Sequence, residues 1–102
     1  MSVKLKGNTL LIDMEGDIDH HMAALLREES DEVLNRSYVR EVVFDFARTK
    51  FMDSSGIGLI MGRYRQAGYN DATVSLVNVS VGIDRMLEMS GLYKIIKDVK
   101  RI

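Results

Sequence analysis

The sequence predicts an α/β fold built on a mixed, mainly parallel β-sheet, and three patterns support this. The chain begins with two short apolar runs separated by Gly7-Asn8, which is typical of a β-hairpin. Segments with helical spacing of apolar residues then alternate with β-rich runs. Because crossovers between parallel strands are right-handed, this alternation indicates a mainly parallel sheet with helices packed on it.

The first third of the chain predicts the hairpin and one amphipathic helix. The hairpin strands are predicted at residues 3–6 and 10–15, and Gly16 and Asp17 are expected to end the second strand. Asp17 or Asp19 is expected to cap the helix that follows, since aspartate accepts hydrogen bonds from exposed backbone N–H groups. The inward face of this helix is expected to carry Met22, Leu25, Leu26, Val33 and Leu34.

The middle of the chain predicts a buried strand and a second helix. A nearly continuous apolar run at residues 40–46 is typical of a strand covered on both faces. Residues 47–53 are expected to be a connection, with a helix beginning at about Ser55 and ending near Gly68. Its inward face is expected to carry Ile57, Ile60, Met61 and Tyr64, with Gly58 and Gly62 allowing close approach to the sheet.

The last third predicts strand, helix and strand. Residues 73–79 are β-rich, and Ser80 is expected to cap a short helix that Ser90-Gly91 ends. A final short strand is predicted within residues 92–99.

The composition indicates one ordinary globular domain of 102 residues. The net charge of −1 disfavours nucleic acid as the ligand, since duplex binding needs a basic face. Cysteine is absent, which excludes disulfides and thiolate metal sites. No apolar run approaches the roughly 18–20 residues that span a bilayer, so we expect a cytoplasmic protein with no membrane partner.

The most informative segment is the predicted start of the second helix, Asp53-Ser54-Ser55-Gly56. A helix N-terminus carries unpaired N–H groups and a partial positive charge, which favour a phosphate group there. Either hydroxyl is a plausible acceptor of a phosphate that adds a charge of about −2. Alternatively, the segment is only a helix cap, because capping residues of this kind are common.

Other chemistries fit the residues poorly. Gly56, Gly58 and Gly62 suggest a nucleotide-binding loop, but about ten residues separate them from the preceding strand. Adjacent His20 and His21 point about 100° apart on a helix and cannot chelate one ion together, so we expect no metal. No G-x-S-x-G elbow surrounds the serines, which disfavours a hydrolase. We therefore expect no enzymatic activity and no cofactor.

Three blocks of the sequence resemble the anti-sigma factor antagonists of spore-forming bacteria, which belong to the STAS domain family. Residues 51–64, which contain the Asp-Ser-Ser-Gly tetrad, resemble the phosphorylation segment of that family. Residues 16–21 resemble the motif at the start of its first helix, and residues 89–96 resemble its late segment. The combination is most similar to the sporulation branch, which controls sigma-F. The resemblance implies a STAS fold for residues 1–102.

The resemblance also implies a function by partner switching. Such antagonists bind an anti-sigma factor that is also a serine kinase, and the unphosphorylated form frees the sigma factor. The kinase phosphorylates the first serine of the tetrad, here Ser54, and a PP2C-type phosphatase restores it. Residues expected at the partner-binding surface are Asp19, Asp53, Ser55, Gly56, Ile57, Gly58, Gly62 and Arg63.

Some expectations remain open at the level of sequence. A general-stress antagonist or a STAS signalling module acting on another sigma factor is the alternative, and a nucleotide-binding module is a further one. A monomer is favoured. The family usually ends with a further helix, whereas this sequence stops at Ile102, so we expect that helix to be missing or truncated.

Overall fold

The computed structural model describes residues 2–102 and contains seven strands, three α-helices and one 3-10 helix within them. The strands are β1 (Val3–Lys6), β2 (Thr9–Asp13), β3 (Gly16–Ile18), β4 (Glu41–Asp45), β5 (Thr49–Met52), β6 (Thr73–Val79) and β7 (Asp98–Arg101). The α-helices are α1 (His20–Arg36), α2 (Ser54–Tyr69) and α3 (Val81–Met89), and the 3-10 helix is Leu92–Lys94.

The main sheet has five strands in the order β1-β2-β4-β6-β7. Strand β1 pairs antiparallel with β2, while the pairs β2–β4, β4–β6 and β6–β7 are parallel. The hairpin turn is Gly7-Asn8, where Gly7 has a φ of 60° that glycine adopts without strain. The predicted mixed, mainly parallel sheet and its N-terminal hairpin are therefore confirmed.

One face of the sheet forms the core. Ile12, Phe44 and Leu76 are cross-strand partners in neighbouring strands, and all three are completely buried. Val43 lies on the opposite face of β4 and is only partly buried. Strand β4 is therefore fully covered on one face, and the expectation that it is covered on both faces is wrong.

A second, two-stranded parallel sheet forms where the sequence indicated only a strand end and a connection. Strand β3 begins at Gly16, the residue expected to end a strand, and pairs with β5 inside residues 47–53. The Gly16 N–H donates to the Arg48 carbonyl at 2.9 Å, and the Asp53 N–H donates to the Ile18 carbonyl at 3.2 Å. Strands this short are stabilised by pairing between distant segments, which local patterns do not reveal.

The C-terminal segment also differs from its prediction. Residues 92–94 form a 3-10 helix, and β7 begins only at Asp98. Gly91 has a φ of 84°, and the Leu92 N–H donates to the Ser90 hydroxyl at 3.2 Å, so the chain turns tightly before it can extend. Asp84 of α3 then holds this end of the chain, accepting hydrogen bonds from the Tyr93 hydroxyl at 2.6 Å and from Arg101 Nε at 2.9 Å.

The inward face of α2 is rotated from the predicted one. Tyr64 is exposed, and Gly68 lies inside the helix, which Asn70 caps. The face that packs inward carries Gly56, Leu59, Ile60, Arg63 and Ala67, with Ile57 and Met61 at its margin. The predicted face was drawn from large apolar side chains alone, so it left out Gly56 and Arg63, which also pack inward.

Candidate functional site

The small β3–β5 sheet brings the starts of α1 and α2 side by side. Ile18 and Met52 are cross-strand partners, and each is followed by the aspartate that caps its helix. Asp19 Oδ1 accepts from the Met22 N–H at 2.9 Å, and Asp53 Oδ1 accepts from the Ser55 N–H at 2.8 Å. The choice left open between Asp17 and Asp19 is thereby resolved in favour of Asp19.

The two helices also run in the same direction from this shared start. Arg63 is the tenth residue of α2. It contacts Arg27 and Asp31, which are the eighth and twelfth residues of α1. Because the helices are parallel, their positive N-terminal ends lie together. A phosphate added at the start of α2 is therefore placed in a field that favours it and does not require the helix to unfold.

The two serines at this start differ in their surroundings. Ser54 is exposed, and it lies at the edge of a groove between α2 and α3. Ser55 is partly buried, and it lines the groove between α1 and α2. Exposure therefore favours Ser54 as the hydroxyl that another protein can reach, a distinction that the sequence patterns left open.

The groove beside Ser54, which we call the α2–α3 groove, has an apolar surface. Ile57 of α2 and Met86 and Met89 of α3 line it, together with Gly82, Arg85 and Ser90. Met89 is 82% exposed, and Phe51, in the strand leading to Ser54, is 54% exposed. A groove lined by apolar side chains is typical of a protein interaction surface, and methionine adapts readily to a partner.

Two residues expected at the partner surface are buried. Gly56 packs beneath the site, where an added Cβ would overlap with the Met52 side chain. Arg63 is only 3% exposed and faces α1. Neither residue is exposed in this conformation, and both pack against the elements that position the site.

Gly56→Ala is expected to lower the free energy of unfolding by about 1–2 kcal/mol, because Met52 must move out of a packed core. Gly58→Ala is the matched control, since an added Cβ there meets no atom within 4 Å. That control is expected to stabilise the helix by up to about 1 kcal/mol. Urea unfolding of both variants tests the contrast, and equal effects of the two changes would contradict it.

Arg63 fixes α2 against α1. Its guanidinium contacts Asp31 Oδ1 at 2.6 Å, and it donates to the Arg27 carbonyl and the Ser30 hydroxyl, each at 3.0 Å. Burial lowers the pKa of Arg63, and the charge of Asp31 opposes this shift. Ser30 and Asp31 are not predictable as partners of Arg63 from local sequence, because serine and aspartate on a helix usually face water.

Gly58 and Gly62 have a different role from the one expected. Both line the groove between α1 and α2, and an added Cβ at either position would meet no atom within 4 Å. They therefore leave space beside α1, and the expected close approach of the helix to the sheet at these glycines is wrong.

The caps themselves stabilise the site. Asp53→Ala and Asp19→Ala are each expected to cost about 1 kcal/mol of stability, since each leaves a helix N–H without its side-chain acceptor. Asp53→Asn and Asp19→Asn are the controls, because asparagine caps equally well. Thermal unfolding measures these differences, and an asparagine variant as unstable as its alanine counterpart would argue against capping as the cause.

Residues 2–102 contain no group of three metal-binding side chains, and none of their helices has the length and apolar character that a bilayer span requires.

Comparison with known proteins assigns the sequence to a family. The sequence model of the STAS domain matches residues 1–101. The chain belongs to the STAS domain family.

Proteins with assigned roles are similar to this chain. The anti-sigma F factor antagonist of Paenibacillus polymyxa is 35% identical over 86 residues, which cover 84% of this chain and 74% of the relative. The anti-sigma-B factor antagonist of Bacillus subtilis (strain 168) is 25% identical over 96 residues, covering 94% of this chain and 86% of the relative.

Solved STAS structures agree with the fold. The anti-sigma factor antagonist SpoIIAA in its unphosphorylated form matches with a TM-score of 0.87 at 27% identity, covering 98% of this chain and 85% of that chain. The phosphorylated form of SpoIIAA, a Bacillus cell fate determinant, matches with a TM-score of 0.79 at 27% identity. The match covers 98% of this chain and 88% of that chain. The predicted STAS fold is confirmed, and this relative retains the fold in both phosphorylation states.

Proposed function

We propose that this STAS protein is an anti-sigma factor antagonist that Ser54 phosphorylation switches off. In its unphosphorylated form it binds an anti-sigma factor, which is also a serine kinase, and thereby frees the sigma factor. The observation that carries this proposal is an exposed Ser54 at the start of α2, on the edge of an apolar groove. Similarity to the antagonist from Paenibacillus polymyxa supports sigma-F as the factor that is released.

The docking surface has two parts in this proposal. The α2–α3 groove supplies apolar contacts through Ile57, Met86 and Met89. The paired helix starts supply polar contacts through Asp19, Asp53 and Ser55, and the open flank at Gly58 and Gly62 extends the surface toward α1. The partner thus packs its own apolar side chains against α3 while its kinase site reaches Ser54.

Phosphorylation breaks this contact through charge. A phosphate adds a charge of about −2 beside the Asp53 carboxylate, on a surface that the partner must dehydrate. Burying an unpaired charge at an interface, or placing like charges together, costs several kcal/mol. Because the helix N-terminus favours a phosphate, the modification destabilises the complex with the partner and not the fold of this chain.

The protein is a substrate and a switch in this scheme, without catalytic activity of its own. The kinase supplies the phosphoryl transfer, and a PP2C-type phosphatase removes the phosphate to restore binding. Because the sigma factor that the chain would free acts in transcription, the proposed location is the cytoplasm. Neither nucleic acid nor a membrane is a direct partner.

A second candidate is an antagonist of the general-stress type, acting on sigma-B. The 25% identity with the anti-sigma-B factor antagonist of Bacillus subtilis over 94% of this chain favours it. Pull-down of the anti-sigma factor from the native organism, followed by identification of the sigma factor it holds, separates the two candidates.

Incubation with the cognate anti-sigma factor and ATP tests the proposed modification. We expect mass spectrometry to find one phosphate, on Ser54, in the native chain and in the Ser55→Ala variant. The Ser54→Ala variant is expected to remain unmodified. Phosphate on Ser55 alone, or no phosphate on any residue, would overturn the assignment.

A further inference from the structure

Among residues 2–102, Arg85 is the one charged residue that lines the α2–α3 groove. The groove has a volume of about 440 Å³, and Arg85 is exposed on its α3 wall. Arg85 and Met89 are four residues apart in α3, so they share one face of that helix. Ser54 lies on the opposite wall, as the first residue of α2. The groove therefore has a cation on one side and the proposed phosphorylation site on the other.

The charge of Arg85 has no partner within residues 2–102, where its side chain forms no ion pair. Asp84, its neighbour in the chain, accepts hydrogen bonds from the Tyr93 hydroxyl at 2.6 Å and from Arg101 Nε at 2.9 Å. Glu88 is three residues further along α3 and also forms no ion pair in this part of the chain. The Arg85 guanidinium is therefore available to an anion that reaches the groove.

A phosphate on Ser54 would be such an anion. The carboxylate next to it, Asp53, already accepts a hydrogen bond from the Ser55 N–H at 2.8 Å. Arginine matches a phosphate well, because its planar donors bind phosphate oxygens in pairs. Its long aliphatic stem also packs along apolar surface while the charged end moves, and the Met86 side chain supplies such a surface in this groove.

We propose that Arg85 holds the phosphate of phosphorylated Ser54 in an ion pair that crosses the α2–α3 groove and closes it to the partner. This inference rests on the proposed modification of Ser54 and adds a physical closure to its charge effect. The pair covers Met86 and Met89, which line the open groove in the unphosphorylated chain. Because the phosphate carries a charge of about −2, pairing with one arginine still leaves a net negative charge at the surface.

Phosphoserine introduced at position 54 by genetic code expansion tests this inference without the kinase. Nitrogen–proton NMR is expected to show a shifted Arg85 Nε–Hε signal in the phosphorylated chain. Arg65 is the internal reference, because it is exposed and lies about three turns further along α2, and its signal is expected to stay in place. An Arg85 signal that does not move overturns the ion pair alone, whereas failure of the anti-sigma factor to phosphorylate Ser54 overturns the proposed function.

Variants of the phosphorylated chain identify the cation. We expect phosphorus NMR titration to give a higher pKa for the phosphate in Arg85→Gln than in the native residue background, since a nearby cation favours the doubly charged form. Arg65→Gln removes the same charge from a distant, exposed site and is expected to leave the pKa of the phosphate unchanged. Equal pKa values for the phosphate in the two variants would overturn the pairing with Arg85.

Closure of the groove is measured with a soluble nitroxide, which broadens the methyl signals of accessible methionines. Phosphorylation is expected to protect the Met86 and Met89 methyl groups from this broadening, and Arg85→Gln is expected to abolish the protection. Met22 of α1 lies outside the groove and is the reference methyl group. Equal broadening of Met86 and Met89 before and after phosphorylation, or protection that persists in Arg85→Gln, would contradict closure by this ion pair.

Discussion

Ser54→Asp is expected to weaken binding to the anti-sigma factor by about 100-fold, as judged from the cost of an unpaired interfacial charge. The new carboxylate lies beside Asp53 at the edge of the α2–α3 groove, where the partner must displace water. Isothermal titration calorimetry with the purified anti-sigma factor measures the change. The fold is expected to persist, because a negative charge is favoured in the first turn of a helix.

Ser54→Asn is the matched control for this prediction. Asparagine has nearly the shape of aspartate and no charge, so binding is expected to stay within about threefold of the native value, as for a neutral change at an exposed position. A charged variant that binds as tightly as the native chain would contradict electrostatic switching. Equal loss in both variants would show that steric size, not charge, disrupts the contact.

Arg63→Ala is expected to lower the free energy of unfolding by about 3 kcal/mol, from the cavity it leaves and the hydrogen bonds it removes. The native side chain is 3% exposed and bonds to Ser30, to Asp31 and to the carbonyl of Arg27. Its loss removes these contacts between the middle of α1 and the middle of α2. Chemical denaturation with urea measures the difference.

Arg63→Met tests the cause of that loss. Methionine fills the same volume without burying a charge, and buried ion pairs often contribute little against apolar residues of similar size. We therefore expect Arg63→Met to cost less than half as much as Arg63→Ala. An alanine variant within about 0.5 kcal/mol of the native chain, the usual range for surface positions, would show that Arg63 does not fix the helices.

The main sheet follows closely from local sequence patterns. Strands β2, β4 and β6 are long enough for their apolar runs to be recognised, and the Gly7-Asn8 turn sets the hairpin. The cap at Ser80, and a cap at either Asp53 or Ser54, were also predictable, because an acceptor side chain precedes an apolar helical pattern. These features are determined by residues that are close in sequence, so they can be predicted from the sequence alone.

The features that complete the site depend on distant residues. Strands β3 and β5 have three and four residues, and each is defined only by the other. Without that pairing, nothing in the local pattern places the Asp19 cap beside the Asp53 cap. Burial of Arg63 is equally hidden, because an arginine on a helix ordinarily faces water and its acceptors lie 32–36 residues away along the chain.

Displacement of the sigma factor tests the central claim most directly. A fluorescently labelled sigma factor bound to the anti-sigma factor gives high anisotropy, and the chain is then titrated into this complex. We predict that the unphosphorylated chain lowers the anisotropy to that of free sigma factor, whereas the same chain phosphorylated at Ser54 leaves it unchanged. Equal release by the two forms, or no release by either, would contradict the proposed switch.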